Sequence, residues 1–237
     1  MSDDPVRRLI LILGGARSGK SAYAESLAAG IARERTVLYV ATATASDDEE
    51  MRARISAHQA NRPAHWRTLE APLDPAGELE RELAQNPSPV VLLDCVTLLA
   101  ANLLLDGAPN GGEVDATAGE ARLDRAIDAL LAVYERSQFT LISVSNEVGM
   151  GVVPAYLLGR AYRDILGRAN ARLASAADAT LLMIAGSRDM MTPPRATKAL
   201  TEKLSNLKSV TIEGSGHDLM AEQPDAVLDA LIGFLKE

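Results

Sequence analysis

Short apolar runs alternate along this chain with longer stretches whose apolar positions recur every three to four residues. The runs Arg8–Leu13, Thr36–Ala41, Pro89–Asp94, Phe139–Ser145, Thr180–Ala185 and Ser209–Glu213 are mostly unbroken rather than alternating. Strands read this way when helices cover both faces of a parallel sheet. The stretches between them predict helices over Lys20–Arg33, Asp47–Ala60, Asp74–Gln85, Val96–Leu105, Thr117–Arg136, Tyr156–Ala177, Pro194–Leu204 and Pro224–Lys236. Strand and helix in alternation predict an α/β fold, a mainly parallel sheet with helices on both faces. Asp106–Thr117, with its Gly, Pro and Asn, reads as a surface loop.

Composition narrows the class. The 237 residues are 47% hydrophobic and 24% charged, enough for a sizeable core and too ordered a mixture for general disorder. Lys and Arg number 24 against 32 Asp and Glu, and the net charge of −8 argues against nucleic acid or an anionic membrane as partner. The single cysteine, Cys95, excludes an intramolecular disulfide framework and suits a reducing compartment. The apolar runs Leu9–Leu13 and Val96–Leu105 are too short for a signal-peptide core or a membrane span, so a soluble cytoplasmic protein is expected. Residues 1–186 hold 17 Arg and one Lys, whereas residues 187–237 hold four Lys and two Arg. Most surface positions accept either residue, so the switch suggests that two stretches of different origin meet near Thr180–Ala185.

The lone early lysine, Lys20, sits in the most informative motif. Gly14, Gly15, Ala16, Arg17, Ser18, Gly19, Lys20 and Ser21 fit G-x-x-x-x-G-K-[ST], after the first strand and opening the first helix. Glycines let backbone N–H groups turn inward around phosphate oxygens, and the helix N-terminus adds a favourable dipole. Lys20 would neutralise the β- and γ-phosphates, and the Ser21 hydroxyl would hold Mg²⁺. Val90–Asp94 is four apolar residues and a carboxylate at the end of a strand, where an acid can sit beside the same Mg²⁺. The alternative role for Asp94 is to cap the helix that starts at Val96. His58 and His65 are not diagnostic by themselves, and no Cys/His cluster points to a metal centre.

Together these residues resemble the bifunctional adenosylcobinamide kinase/adenosylcobinamide-phosphate guanylyltransferase family. The resemblance rests on Gly14–Ser21, Asp48–Met51, Arg54-Ile55-x-x-His58, Arg62-Pro63-x-x-Trp66-Arg67-Thr68-x-Glu70 and Leu93–Thr97. It continues through Ser145–Pro154 and Arg163–Asn170 and covers about residues 8–180. It implies a P-loop NTPase type of fold and a two-step transferase of cobalamin assembly. GTP or ATP phosphorylates the aminopropanol hydroxyl of adenosylcobinamide; GTP then guanylylates a histidine, which hands GMP to the cobinamide phosphate. That histidine maps onto His58, and Lys20 is the second implied catalytic residue. Implied nucleotide contacts are Gly14 to Ser21 with Thr42, Glu70 and Asp94, and implied Mg²⁺ ligands are Ser21 and Asp94. How ribose, base and Mg²⁺ divide between Glu70 and Asp94 is left open, as is assembly into a homo-oligomer. His65 falls outside the Arg-Ile-x-x-His element and is read as structural.

The tail departs from that family. Ile184–Asp189, Thr192–Pro194, Val210–His217 and Ala221–Pro224 resemble the C-terminal portion of α/β-hydrolases. Asp189 and His217 match the acid and base of a Ser-His-Asp triad. No G-x-S-x-G elbow accompanies them, since Gly15–Gly19 has the wrong spacing, so the pair is expected to be vestigial. The expected organisation is a kinase/guanylyltransferase-like portion over 1–180 and a hydrolase-like βαβα portion over 181–237 that continues the same sheet. Two readings of the whole follow: a working transferase, or a folded chimera, natural or constructed, that binds nucleotide without turnover. A hydrolase is a third reading and lacks its nucleophile.

Overall fold

The computed structural model describes residues 7–14, 20–43, 62–106, 114–148, 153–178, 181–186, 207–216 and 222–235. The chain divides into two compact units. The larger runs through β1 (Leu9–Gly14), α1 (Lys20–Ala32), β2 (Val37–Ala41), β3 (Arg67–Glu70), α2 (Pro75–Gln85), β4 (Val90–Asp94), α3 (Val96–Leu105), α4 (Ala116–Glu135), β5 (Thr140–Asn146) and α5 (Leu157–Ala176). The smaller holds β6 (Leu181–Gly186), β7 (Leu207–Ile212) and α6 (Pro224–Leu235). Expected helices over Asp47–Ala60 and Pro194–Leu204 lie outside the described residues.

In the larger unit the strands form one parallel sheet in the order β1-β5-β4-β2-β3. Alternate residues of each central strand serve opposite faces. Val37, Tyr39, Val90, Leu92, Ile142 and Val144 pack with Ala24, Ala28 and Ala32 of α1 and with Trp66. The small alanines let α1 lie close to the sheet. Residues of the other parity, among them Leu38, Val40, Val91, Leu93 and Leu141, are equally buried, which explains why these strands read as unbroken apolar runs. On that side α3, α4 and α5 pack against one another, and α2 packs against α4.

Local chemistry sets the helix ends. Asp74 caps α2 by accepting from the Gly77 N–H at 2.9 Å, with Pro75 at the first helical position. Asp115 caps α4 in the same way through Ala118 N–H at 3.0 Å. Gly119 lets α4 approach α3, because a Cβ there would lie 2.7 Å from Leu104 Cδ1 and 3.0 Å from its Cα. β3 was not expected from the sequence. It has four residues, alternates between half-buried and exposed, and pairs only with β2 among the described residues. Arg67 ties it to the end of α2, pairing with Glu82 and donating to the Asn86 carbonyl at 2.7 Å.

In the smaller unit, among the described residues, β6 and β7 pair with each other in a two-stranded parallel sheet. Their ladder runs from Leu181↔Leu207 to Gly186↔Ile212, the full length of both strands, and α6 packs on both. Among the described residues, no helix is long and apolar enough to cross a membrane.

Candidate functional site

In parallel α/β sheets ligands gather at the carboxyl ends of the strands, and the expected site residues that the structure describes lie there. Asp94 ends β4, in register with Ala41 of β2 and Val144 of β5, and Ala41 is in turn in register with Glu70 of β3. Residues in register on neighbouring parallel strands face the same way. Asp94 and the exposed Glu70 therefore share the sheet face that carries α1, with Cα atoms about 10 Å apart across two strand spacings. Gly14 ends β1 opposite Asn146 of β5, and its carbonyl accepts from the Glu147 N–H at 3.1 Å.

Lys20 and Ser21 open α1 over this edge. Burial pulls the Lys20 ammonium below the ordinary lysine value, and the Cys95 and Asp94 groups near it oppose the shift. A partly desolvated cation at a helix N-terminus, beside one carboxylate, is a site prepared for a polyanion. Asp94 does not cap α3: the N-cap is Cys95, which makes no side-chain capping bond. Instead Asp94 Oδ2 accepts from the Tyr39 hydroxyl at 2.7 Å. Burial, then the Asp94 charge, pushes the Tyr39 phenol far above its ordinary value, against the opposing pull of Arg62, whose guanidinium carbon lies 3.3 Å from the ring centroid. Burial also raises the Cys95 thiol, so at neutral pH it is protonated and a poor nucleophile.

Thr42, expected among the nucleotide contacts, is fully buried, and its hydroxyl donates to the Cys95 carbonyl at 2.7 Å and accepts from the Cys95 N–H at 2.8 Å. Its donor is used within the protein, so it supports the β4–α3 turn from beneath. Thr42→Val should leave the buried Cys95 N–H and carbonyl without that partner and cost about 1–3 kcal/mol, read as a lower urea midpoint at unchanged slope. Unchanged stability with collapsed GTP affinity would return Thr42 to the nucleotide.

Several supporting residues escaped the sequence reading. Asn102 Nδ2 donates to the Thr42 carbonyl at 2.8 Å and the Pro72 carbonyl at 3.0 Å, joining the turns after β2 and β3 to α3. Thr97 Oγ1 accepts from the Asn146 N–H at 2.7 Å, and Asn170 Nδ2 donates to the Asn146 carbonyl at 3.0 Å, fixing the end of β5. Tyr162 donates to the Thr97 carbonyl at 3.1 Å, and burial pushes its phenol up to about 12. Only the helix spacing and the parity of Tyr39 with Asp94 hint at these roles in the sequence.

Two of the raised phenols, those of Tyr39 and Tyr162, have an alkaline consequence. A folded-state value above the unfolded one, near 10, gives stability that is intact below pH about 10 and lost as pH rises through the folded value. The urea midpoint should therefore fall from pH about 10, with the Tyr162 share complete by about 12 and the Tyr39 share continuing beyond. Absorbance at 295 nm should show both phenols silent while their ordinary counterparts ionise; a flat midpoint through that window would contradict the burial argument.

Gly15, Ala16, Arg17, Ser18 and Gly19, the histidine-bearing segment with His58, and the tail residues Asp189 and His217 lie outside the described residues. His65 is described and exposed; its carbonyl accepts from Thr36 Oγ1 at 2.6 Å, a structural contact. Among the described residues no three His, Cys, Asp or Glu side chains cluster as a metal cage. Mg²⁺ held largely by substrate phosphates needs only one or two protein ligands, and the Asp94 carboxylate with the Ser21 hydroxyl suits that mode.

Comparison with known proteins gives two matches along the chain. Residues 10–190 match the model for cobinamide kinase / cobinamide phosphate guanyltransferase, and residues 163–237 match that of the TAP-like proteins, an α/β-hydrolase group. The bifunctional adenosylcobalamin biosynthesis proteins CobU of Escherichia coli and of Salmonella typhimurium are each 44% identical over 180 residues, 75% of this chain and 96% of theirs. The bifunctional protein CobP of Pseudomonas aeruginosa is 44% identical over 178 residues, 74% of this chain and 92% of its own.

Proposed function

The chain belongs to the cobinamide kinase / cobinamide phosphate guanyltransferase family, and from that membership we propose that it performs both of the family's reactions. In the first, the aminopropanol hydroxyl of adenosylcobinamide takes the γ-phosphoryl group of GTP or ATP. In the second, an imidazole nitrogen of His58 attacks the α-phosphorus of GTP; a P–N bond forms, the α–β P–O bond breaks and pyrophosphate leaves. An oxygen of cobinamide phosphate then attacks that phosphorus, the P–N bond breaks, and adenosylcobinamide-GDP departs from the regenerated histidine. Neutral imidazole, with an ordinary pKa near 6.5, has a free ring nitrogen at pH 7.

The remaining roles follow from placement. The backbone of Gly14 to Gly19 would surround the phosphates while Lys20 neutralises their charge. Ser21 and Asp94 would hold Mg²⁺, which when bound offsets the negative charge of the triphosphate oxygens. Glu70, exposed on the same sheet face, is free to meet ribose or base. Thr42 holds the turn that aims Asp94. The observation that carries this reading is the placement of the partly buried Lys20 ammonium beside Asp94 and Cys95 at the strand ends.

The functional division runs over 1–180 for the transferase and 181–237 for the hydrolase-like tail, whose Asp189 and His217 stay inert for want of a nucleophile. The protein works in the cytoplasm, without nucleic acid or membrane, and self-association is open. The TAP-like match over residues 163–237 favours one rival, a folded chain that binds nucleotide and turns nothing over. Purified protein with adenosylcobinamide, GTP and Mg²⁺ decides between them: mass spectrometry should find the phosphate and then the GDP conjugate. Upward-shifted melting with GTP but neither product would establish the rival.

A further inference from the structure

We infer that Tyr39 is a positioning residue for Asp94, its hydroxyl holding one carboxylate oxygen so that the other faces the nucleotide end of the site. The inference rests on the proposed role of Asp94 toward the metal–nucleotide complex. Three observations carry it. The first is the 2.7 Å bond from the Tyr39 hydroxyl to Asp94 Oδ2, a short bond to an acceptor beside the partly buried Lys20. The second is the rigidity of the donor. Tyr39 is 3% exposed, its backbone sits mid-strand in β2, and its ring packs in the core with Ala24, Ala28 and Trp66. Its other face carries the Arg62 guanidinium, itself held by an Nη1 bond to Thr68 Oγ1 at 3.2 Å. The hydroxyl thus has almost no freedom to follow Asp94; Asp94 must come to it.

The third is that the helix following β4 makes no claim on this carboxylate, since Cys95 rather than Asp94 occupies the N-cap of α3. A side chain with two soft torsions, released from such a strut, would sample several rotamers, and each unproductive one dilutes the oriented state.

The test is calorimetric binding of GTP, with Mg²⁺ and with EDTA, to the full-length wild type, Tyr39→Phe, Asp94→Asn and the double variant. In the wild type Mg²⁺ should tighten GTP binding, and Asp94→Asn should remove most of that gain. Tyr39→Phe should cut the gain by about tenfold, the order expected from freeing one oriented group, while binding in EDTA stays within twofold. In the Asp94→Asn background Tyr39→Phe should do nothing more, because it acts through that carboxylate. A full Mg²⁺ gain in Tyr39→Phe, or an equal loss when Asp94 is already replaced, overturns the inference and leaves the role of Asp94 standing. No Mg²⁺ gain in the wild type overturns both. Should Tyr39→Phe fail to fold, Tyr39→Met, which fills the space without a donor, is read by the same criteria.

Discussion

His58→Ala should carry no acid-labile label after incubation with [α-³²P]GTP and Mg²⁺, while the wild type is labelled and releases pyrophosphate in equal amount. The expectation is a complete loss because the P–N bond needs a nucleophile that is neutral and basic at pH 7. The described candidates do not supply one. Burial keeps the Cys95 thiol protonated, and the lysine at the phosphate site carries a proton it would have to lose before attacking. His65 is the nearest histidine in sequence, but its segment is tied to Thr36. His65→Ala should therefore label like the wild type. Label that survives in His58→Ala and disappears in another variant would move the nucleophile there and sink the assignment.

Lys20→Met should lower kcat/KM for phosphoryl transfer by about 10²–10³-fold, the usual cost of losing one preorganised charge aimed at transition-state oxygens. The same variant should melt at or above the wild-type temperature without nucleotide. Burial lowers the Lys20 pKa, so the charged form is disfavoured in the folded protein. Below the lowered value both states are protonated and the fold carries that cost. Stability recovers as pH rises from there toward the unfolded value near 10.4. Replacing the ammonium with an apolar chain of similar length removes the cost. What disappears is the rise in melting temperature with GTP, which at a hundredfold excess over Kd corresponds to about 2.7 kcal/mol. A variant that keeps the GTP-induced shift would mean that the triphosphate sits elsewhere. This opposition between stability and binding is what a functional cation, rather than a surface one, should show.

The junction between the two halves has a physical reading. The two family models overlap over residues 163–190, the stretch that holds most of α5 and all of β6. A helix leading into a buried parallel strand is the repeating unit of both α/β families, so this stretch satisfies either pattern. The change from Arg to Lys in the sequence falls close to it, with Lys198 the first lysine after Lys20. Such a splice asks little of the local chain, because periodicity on both sides is already that of an α/β layer.

Much of the fold was legible because its signals are local. Unbroken apolar runs located β1, β2, β4, β5 and β6 to within a residue, and Val96–Leu105 matches α3 at both ends. β3 was missed because four residues at a sheet edge, with Leu69 as their one large apolar side chain, carry too little pattern. The partner of Thr42 was not legible, because a polar residue after a strand does not reveal in the sequence that its hydroxyl meets the backbone of Cys95.

The amino-acid order by itself determined the alternation of strand and helix, the family and the foreign tail, since each depends on residues close along the chain. Only the tertiary structure decided that β4 lies beside β2. That placement, a non-local pairing no periodicity encodes, brings Tyr39 to Asp94 across 55 positions and Thr42 to Cys95 across 53. It is also what sets Glu70 and Asp94 on one face. The same limit applied to the tail, where the apolar runs announced two strands but could not say that they would pair with each other.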